Sequence, residues 1–483
     1  MNRKYKTVGL MDHMGYGNMG DAAIQEAFIA NIKSRLPDAR LIGFSLYPDD
    51  TRKRHNIETY PIRWSYPRGE GSDRSPSEAP EPNSRLKTFL KNRRIFYRLA
   101  KPVHDVFQEL AHLWRSYRVV KSLDVLVMSG GGQLCELHGD LPYNVFKFTM
   151  LARLAKTPVC IVGVGADLLK RPINRFFARW AVRSAHYVSL RSIESQALVD
   201  SLGVKKETHV CPDPAYALDV REYLGSPEVL GVAEARGLFR NIGIDLESPA
   251  PRDLASSGAV AAEPGVSISS QKPVAKVGLN PMSFCDPRRW PRKDAAVYER
   301  FMGALTDFSS WLLAEGYALE IYCSDMMDFY SLEDLRERLQ ISPIAAPNLT
   351  FRPALTLREL FRQMSAFDFV VTSKFHGVIF SHLLGKPVMA LSYLPKFHHL
   401  MQAVGHEQYC MEAEQVTAGW LIEQFKRMVS ESDQLRTLFR ETSARYSKEL
   451  AAEFDKVFLR PAGTREHEFI EQGVTRDEFS TAG

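Results

Sequence analysis

Lys374 and His376 stand at the junction of an apolar strand and an apolar helix in the stretch "FDFVVTSKFHGVIFSHLLGKPV". Ser373 is suited to cap that helix, and Phe375, Ile379 and Leu383 to form its buried stripe. The two cations then fall in the first turn, where the helix dipole disfavours positive charge, so an anion is expected to join them. Earlier in the chain, "YVSLRSIES" sets Arg191 at the end of another apolar strand. A guanidinium there can grip a carboxylate or a phosphate through two parallel hydrogen bonds. "DVLVMSGGGQLCE" places Gly130, Gly131 and Gly132 just after a strand, where glycines can adopt positive φ and turn backbone N–H groups toward a ligand. Gln133 and Glu136 are expected on the cleft side of that turn.

The stretch "MDHMGYGNMGDAAI" spells G-x-G-x-x-G with Gly15, Gly17 and Gly20, between a strand and a helix. A dinucleotide site uses such glycines to bring the backbone close to a pyrophosphate. Here Asp12, His13 and Met14 lengthen the turn, and Asp21 puts a carboxylate at the positive end of the helix dipole. A pyrophosphate would be repelled, whereas a sugar hydroxyl would find acceptors in Asn18 and Asp21. The plainer alternative is that Asn18 shapes the turn and Asp21 steadies the helix start. Asp213, between two prolines in "VCPDPAYAL", reads as part of a rigid structural turn. His382, and His398 with His399 in "KFHHLM", carry no comparable positional signal.

The elements that must hold these residues form a repeating pattern. "KTVGLMD", "ARLIGFSL", "DVLVMS", "PVCIVGVG" and "HYVSL" are short apolar runs with helical patterns between them, as in "DAAIQEAFIANIKSRL". Continuous apolar runs suit strands covered on both faces, which implies a parallel α/β sheet. The pattern restarts with "AKVGLN", "YALEIYC", "FDFVVTS" and "PVMALSY". Two Rossmann-like halves are therefore expected: residues 1–219, a linker over 220–274, a second half over 275–425, and a helical tail over 426–483 whose end frays. Segments 67–84 and 247–273 are rich in Pro, Ser, Gly and Ala and read as mobile surface loops.

Over 483 residues the net charge is only +5, which favours anionic ligands without demanding nucleic acid, and no nucleic-acid motif is present. No uncharged apolar run reaches membrane-spanning length, so the cytoplasm is the expected compartment. The six cysteines are scattered, which supports neither a disulfide framework nor a zinc site. A helical segment over 85–120 opens with Arg85, Lys87, Lys91, Arg93, Arg94, Arg98 and Lys101 among aromatic and aliphatic residues. Such a helix can rest on anionic lipid at the inner face of a membrane, although a solvated face over a packed stripe is the commoner arrangement. Its continuation carries Val103, Phe107, Leu110, Trp114 and Tyr117 at helical spacing and is expected to pack into the core.

Taken in order, "GYGNMGDAAI", "VMSGGGQLCE", "SLRSIES", "CPDPAYAL" and "SKFHGVIFSHLLGKPV" resemble the polysaccharide pyruvyl transferase family over roughly residues 6–400. The resemblance implies a fold like that of GT-B glycosyltransferases, with two Rossmann-like domains facing across a cleft. It implies phosphoenolpyruvate as donor and a pair of sugar hydroxyls as acceptor, on a cell-surface glycan or its lipid-linked precursor. The products are a pyruvate ketal and phosphate, with no metal or other cofactor. In that scheme Arg191 and Lys374 bind the donor, and His376 is its phosphate ligand or the general acid. Asp21 or Glu136 takes the hydroxyl proton, and Asn18, Gly131, Gly132 and Gln133 line the acceptor side. Lys374 departs from the arginine usual in the family, keeping the charge but losing the bidentate fork. A glycosyltransferase using a nucleotide sugar and a non-catalytic glycan-binding protein of the same fold are the alternatives.

Overall fold

A computed structural model describes residues 5–12, 17–64, 94–136, 141–225, 275–288, 290–340 and 348–459, without the side chains of 94–104 and 340. The first domain is built on β1 (Thr7–Met11), β2 (Arg40–Ser45), β3 (Glu58–Pro61), β4 (Val125–Ser129), β5 (Val159–Val164), β6 (Tyr187–Leu190) and β7 (His209–Val210). The second is built on β8 (Lys276–Asn280), β9 (Ala318–Ile321), β10 (Leu349–Phe351), β11 (Phe369–Thr372), β12 (Val388–Ser392) and β13 (Cys410–Glu412). The spatial orders are β3-β2-β1-β4-β5-β6-β7 and β10-β9-β8-β11-β12-β13, with every pairing parallel. Each order reverses direction beside its first strand, and ligands of open α/β sheets bind at such a switch point, beyond the carboxyl ends of the strands.

The central strands β4, β5 and β12 are buried at every residue. That is why their sequences are apolar throughout rather than alternating. Helix α1 (Met19–Arg35) covers the first sheet at the interface and turns Ile24, Phe28 and Ile32 fully inward. Helix α2 (Arg94–Lys121) departs from expectation. His112 and Ser116 face inward, with His112 Nε2 3.0 Å from the Ile62 carbonyl, while Phe107, Leu110 and Trp114 are 67%, 56% and 63% exposed. The stripe expected in the core therefore lies on the outside, with Tyr117 half-buried beside Trp114. The rest of the basic segment (85–93), both expected loops and the chain end after Leu459 lie outside the described residues.

In the second domain, α3 (Phe375–Leu383) follows β11 and is buried nearly all round, and α4 (Lys396–Ala403) follows β12. The expected tail includes α5 (Ser432–Phe458), which crosses back onto the first domain. Phe454 meets Phe28 edge-on at 5.1 Å, Asp455 pairs with Arg35 at 2.6 Å, and Glu453 accepts from the Tyr187 hydroxyl at 2.8 Å. Tyr216 of the first domain lies 2.6 Å from His382 Nδ1, so His382 is a satisfied interior histidine. All six cysteines are free, buried thiols. Among the described residues no helix is long and apolar enough to cross a membrane.

Candidate functional site

The carboxyl ends of both sheets face one cleft of about 390 Å³. Asp12 enters it after β1, Gly131, Gly132 and Gln133 after β4, and Arg191 after β6. From the second domain come Asp325 and Asp328 after β9, Lys374, Phe375 and His376 after β11, and Tyr393 with Lys396 after β12. The amino termini of α1 and α3 converge here. The Met19 N–H donates to the Ser324 carbonyl at 3.0 Å, and a Cβ placed on Gly20 would lie 2.0 Å from His376 Nδ1. Only a glycine allows that approach.

The first-domain wall is shaped by local hydrogen bonding. Asn18 caps α1, its Oδ1 accepting from the Gly20 and Asp21 N–H groups at 2.9 and 3.2 Å, so the turn-shaping alternative holds for this residue. Asp21 does more than steady the helix. Burial, reinforced by nearby Asp325, raises its carboxyl to about 6, against the pull of Lys396 and Lys374. Gly131 has φ +69°, as the glycine run required. Gln133 is buried, and its amide donates to the Met11 and Gly130 carbonyls at 3.0 and 2.9 Å, holding the loop to β1.

Glu136 is not in this wall. It sits outside the cleft lining, and its Oε1 accepts from the Arg171 N–H at 2.7 Å, at the start of helix Pro172–Ser184. Its carboxylate is thus engaged by a backbone N–H outside the cleft lining rather than presented to the cleft. Glu136→Ala is expected to cost about 0.5–1.5 kcal/mol of stability through the lost bond and to leave turnover unchanged. A hundredfold fall in initial rate would return Glu136 to the reaction.

The charged groups of the second domain divide into two sets. Lys374, rather than Ser373, is the residue at the cap position of α3, and its side chain makes no capping bond. Its Nζ instead donates to Asp325 at 2.9 Å and Asp328 at 2.7 Å. Burial alone would lower the Lys374 pKa, but the two carboxylates outweigh it and hold the ammonium well above its ordinary value. The anion expected beside Lys374 is thus supplied by the protein itself. Asp328 is raised by burial even with Lys374 opposing.

The second set surrounds Phe375. Arg191 and Lys396 place their cations 4.9 and 4.8 Å from its ring centroid. Arg191 is held by Asp213 at 3.1 Å, and Asp213 also caps the turn at Pro214–Ala217 and faces His376 Nε2 at 3.8 Å. Asp213 is therefore more than a structural turn: it holds Arg191 and faces His376, whose Nε2 makes no hydrogen bond among the described residues. His376 stacks on Phe380, and burial drives its imidazole down to about 4, partly offset by Asp213. It is neutral near pH 7, which suits the role of phosphate ligand better than that of general acid. Lys396, from the "KFHHLM" stretch, makes no ion pair among the described residues, and burial together with Arg191 lowers it to about 8. Among the described residues no group of three or more His, Cys, Asp or Glu side chains is arranged to hold a metal ion.

The cleft between two Rossmann-like domains, with α5 returning to the first, is a GT-B-like arrangement. Solved structures with the same fold include UDP-GlcNAc 2-epimerase from Neisseria meningitidis bound to UDP-GlcNAc, with TM-score 0.54 and 10% identity, covering 94% of this chain and 100% of that one. Another is UDP-GlcNAc 2-epimerase from Methanocaldococcus jannaschii, with TM-score 0.50 and 10% identity over 87% of this chain and 92% of that one. At such identities the likeness describes the fold alone. Comparison with curated proteins finds no match. The family model for polysaccharide pyruvyl transferases matches residues 18–395, a span that holds every cleft residue discussed except Asp12 and Lys396, and the chain belongs to that family.

Proposed function

We propose that this protein transfers the enolpyruvyl unit of phosphoenolpyruvate to two hydroxyls of one sugar, forming a pyruvate ketal on a cell-surface polysaccharide or its lipid-linked precursor. The observation that carries the reading is the division of one cleft into a cationic end and an acidic end. Arg191 and Lys396, with the neutral His376 beside them, gather around Phe375, while Asp325 and Asp328 hold Lys374; Asp21 lies near Asp325 and feels both Lys396 and Lys374. A small donor with both a phosphate and a carboxylate suits the first end. A polyhydroxyl acceptor suits the second. Donor binding thus shifts from Lys374 to Lys396, with Arg191 retained.

The reaction protonates the donor's methylene carbon and develops oxocarbenium character at the neighbouring carbon. One hydroxyl adds there, the C–O bond to phosphate breaks, and the second hydroxyl closes the ketal. Of the two hydroxyl protons released, one balances the new C–H bond and the other leaves with phosphate. Asp21, with its carboxyl near 6, has the proton affinity to take a hydroxyl proton near neutral pH and pass it on. His376 enters neutral and serves as a hydrogen-bonding ligand of the phosphate, whose charge would raise the imidazole pKa on binding. Phosphoenolpyruvate is the co-substrate, and the scheme calls on no further cofactor.

Incubation with phosphoenolpyruvate and a panel of free and lipid-linked oligosaccharides tests the reading. The expected result is phosphate release matched by a mass gain of one pyruvate on the glycan. Turnover of a nucleotide sugar to nucleoside diphosphate, with phosphoenolpyruvate inert, would overturn it. The rate should also fall with pH below about 6 as Asp21 takes up its proton, and Asp21→Asn should lose that limb together with about 10² or more in kcat. Because the folded pKa of Asp21 lies above its unfolded value, its contribution favours folding in acid and is lost as pH rises through 6. Asp21→Asn should therefore be more stable than wild type by about 1–2 kcal/mol at pH 8 and no more stable at pH 4.

A further inference from the structure

The outward face of α2 and its neighbours has no role in the cleft, and its composition is unlike the rest of the surface. Helix Leu141–Ala155 packs between α2 and helix Pro172–Ser184, and the three form one outer layer of the first domain. Phe107, Leu110 and Trp114 lie at i, i+3 and i+7 on α2, and each is more than half exposed. Ile173 and Phe176 of the third helix are 55% and 53% exposed. These are not isolated surface residues. Phe176 rests on Phe146 and Phe177, Phe146 meets Trp180 edge-on at 4.9 Å, and Trp114 stacks on Tyr117 at 5.9 Å.

Charge on the same face is mainly positive: the acidic residues of α2, Asp105 and Glu109, precede Leu110, and Glu109 is paired with Lys147 of the middle helix at 3.4 Å. Helices Leu141–Ala155 and Pro172–Ser184 hold no Asp or Glu, and neither does α2 from Leu110 onward. Arg115, Arg118, Arg179 and Arg183 are exposed, and among the described residues none of them is in an ion pair. A chain with a net charge of only +5 thus carries unpaired arginines on the same three helices as Phe107, Trp114 and Phe176, which are among the large exposed apolar side chains of the described residues. Protein–protein interfaces enrich aromatic residues and arginine as well, but unpaired arginines of one sign would repel one another across a contact between two copies of this chain. A bilayer surface takes both components together, the aromatic rings at the headgroup boundary and the arginines against anionic headgroups.

We propose that the face formed by α2, helix Leu141–Ala155 and helix Pro172–Ser184 seats the protein on an anionic lipid bilayer. The seat differs from the one expected at Arg85–Lys101, since its apolar part lies further along α2. It is continuous with the cleft: Leu141, the first residue of the middle helix, lines the cleft, and Glu136 tethers the start of the third. Only the purpose of the seat, keeping a lipid-linked acceptor within reach, rests on the function proposed above.

Co-sedimentation of the full chain with vesicles tests the proposal, using phosphatidylcholine alone and phosphatidylcholine mixed with phosphatidylglycerol. Wild type should bind the mixed vesicles at least about tenfold more tightly than the neutral ones. Phe107→Ser/Leu110→Ser/Trp114→Ser and Arg179→Glu/Arg183→Glu should each lose at least about tenfold. Both variants should keep the wild-type circular dichroism spectrum and wild-type turnover on a lipid-free oligosaccharide. Absence of wild-type binding, or equal binding by both variants, overturns the proposal. So does a wild-type dimer that the apolar variant converts to monomer, which would assign the face to a second copy of the chain. If wild type binds vesicles but turns over no phosphoenolpyruvate, the seat stands and the proposed reaction fails.

Discussion

Lys396→Met should lower kcat/KM for phosphoenolpyruvate by roughly 10²- to 10³-fold at pH 7, the loss typical when one preorganised charge donor is removed from a site that handles an anion. The expectation comes from how three partly buried cations of the cleft are already engaged. Lys374 is neutralised by Asp325 and Asp328, and Arg191 is held by Asp213. Lys396 makes no ion pair among the described residues; it lies over the faces of Phe375 and Tyr393, at 4.8 and 5.8 Å, and feels Asp21 and Asp167 only through space. Its charge is the one most in need of a partner. Burial has lowered its pKa to about 8, so an arriving anion would restore the interactions lost to desolvation and raise that pKa again. Wild-type affinity for phosphoenolpyruvate should therefore weaken as pH climbs through 8, where the free ammonium loses its proton. Lys396→Arg, permanently charged, should carry binding to higher pH. Initial rates across a phosphoenolpyruvate titration at pH 7 and pH 9 measure both effects. An unchanged kcat/KM in Lys396→Met would remove this residue from the donor site.

Much of the frame was legible in the sequence, for a physical reason. A strand buried on both faces must be apolar at every position, and β1, β4, β5, β11 and β12 announce themselves that way. The strands β3, β7, β10 and β13 are the sheet edges, are two to four residues long and bury at most one residue each, so they carry no such run. Helical periodicity told which residues of α2 share a face. It could not tell which medium that face meets, and the inward pull of His112 and Lys147 on the Ile62 carbonyl decided the matter.

The site was legible in location more than in wiring. Asp21, Arg191 and His376 all line the cleft, because strand ends before helices are where an open α/β sheet presents side chains. Whether a cation there is spoken for depends on residues far away in sequence. Asp325 and Asp328, from "YCSDMMDF", reach Lys374 across the adjacent strands β9, β8 and β11, and nothing local in that loop marks them as its partners. Lys396 gives no local signal for the converse reason: its stretch looks like an ordinary helix start, and only the packing of α4 against Phe375 turns it into the cleft. Glu136 shared the loop of Gln133 yet was drawn away by a backbone N–H on the neighbouring helix.

The pairing of Lys374 yields the second large effect, and it separates stability from donor binding. In Lys374→Met the Asp325 and Asp328 carboxylates would face each other without their shared cation, in a region where Asp328 is 1% exposed and Asp21 adds a third carboxyl nearby. Removing one partner of a buried charge cluster typically costs about 3–5 kcal/mol, and that loss is expected here at pH 8. The sign with pH follows from linkage. Without Lys374 the folded pKa of Asp328, already raised by burial, would rise further, so folding would take up protons and the variant would recover stability as pH falls toward 5. Adding Asp328→Asn to Lys374→Met should return part of the lost stability at pH 8, since it removes one of the stranded charges. Urea unfolding at pH 5 and pH 8 reads all three variants. In the folded fraction, KM for phosphoenolpyruvate should change far less than in Lys396→Met, because the cation removed was never available to the donor. Wild-type stability in Lys374→Met, together with a large rise in that KM, would mean that Lys374 abandons its carboxylates to hold the donor, and the division of the cleft into two ends would have to be redrawn.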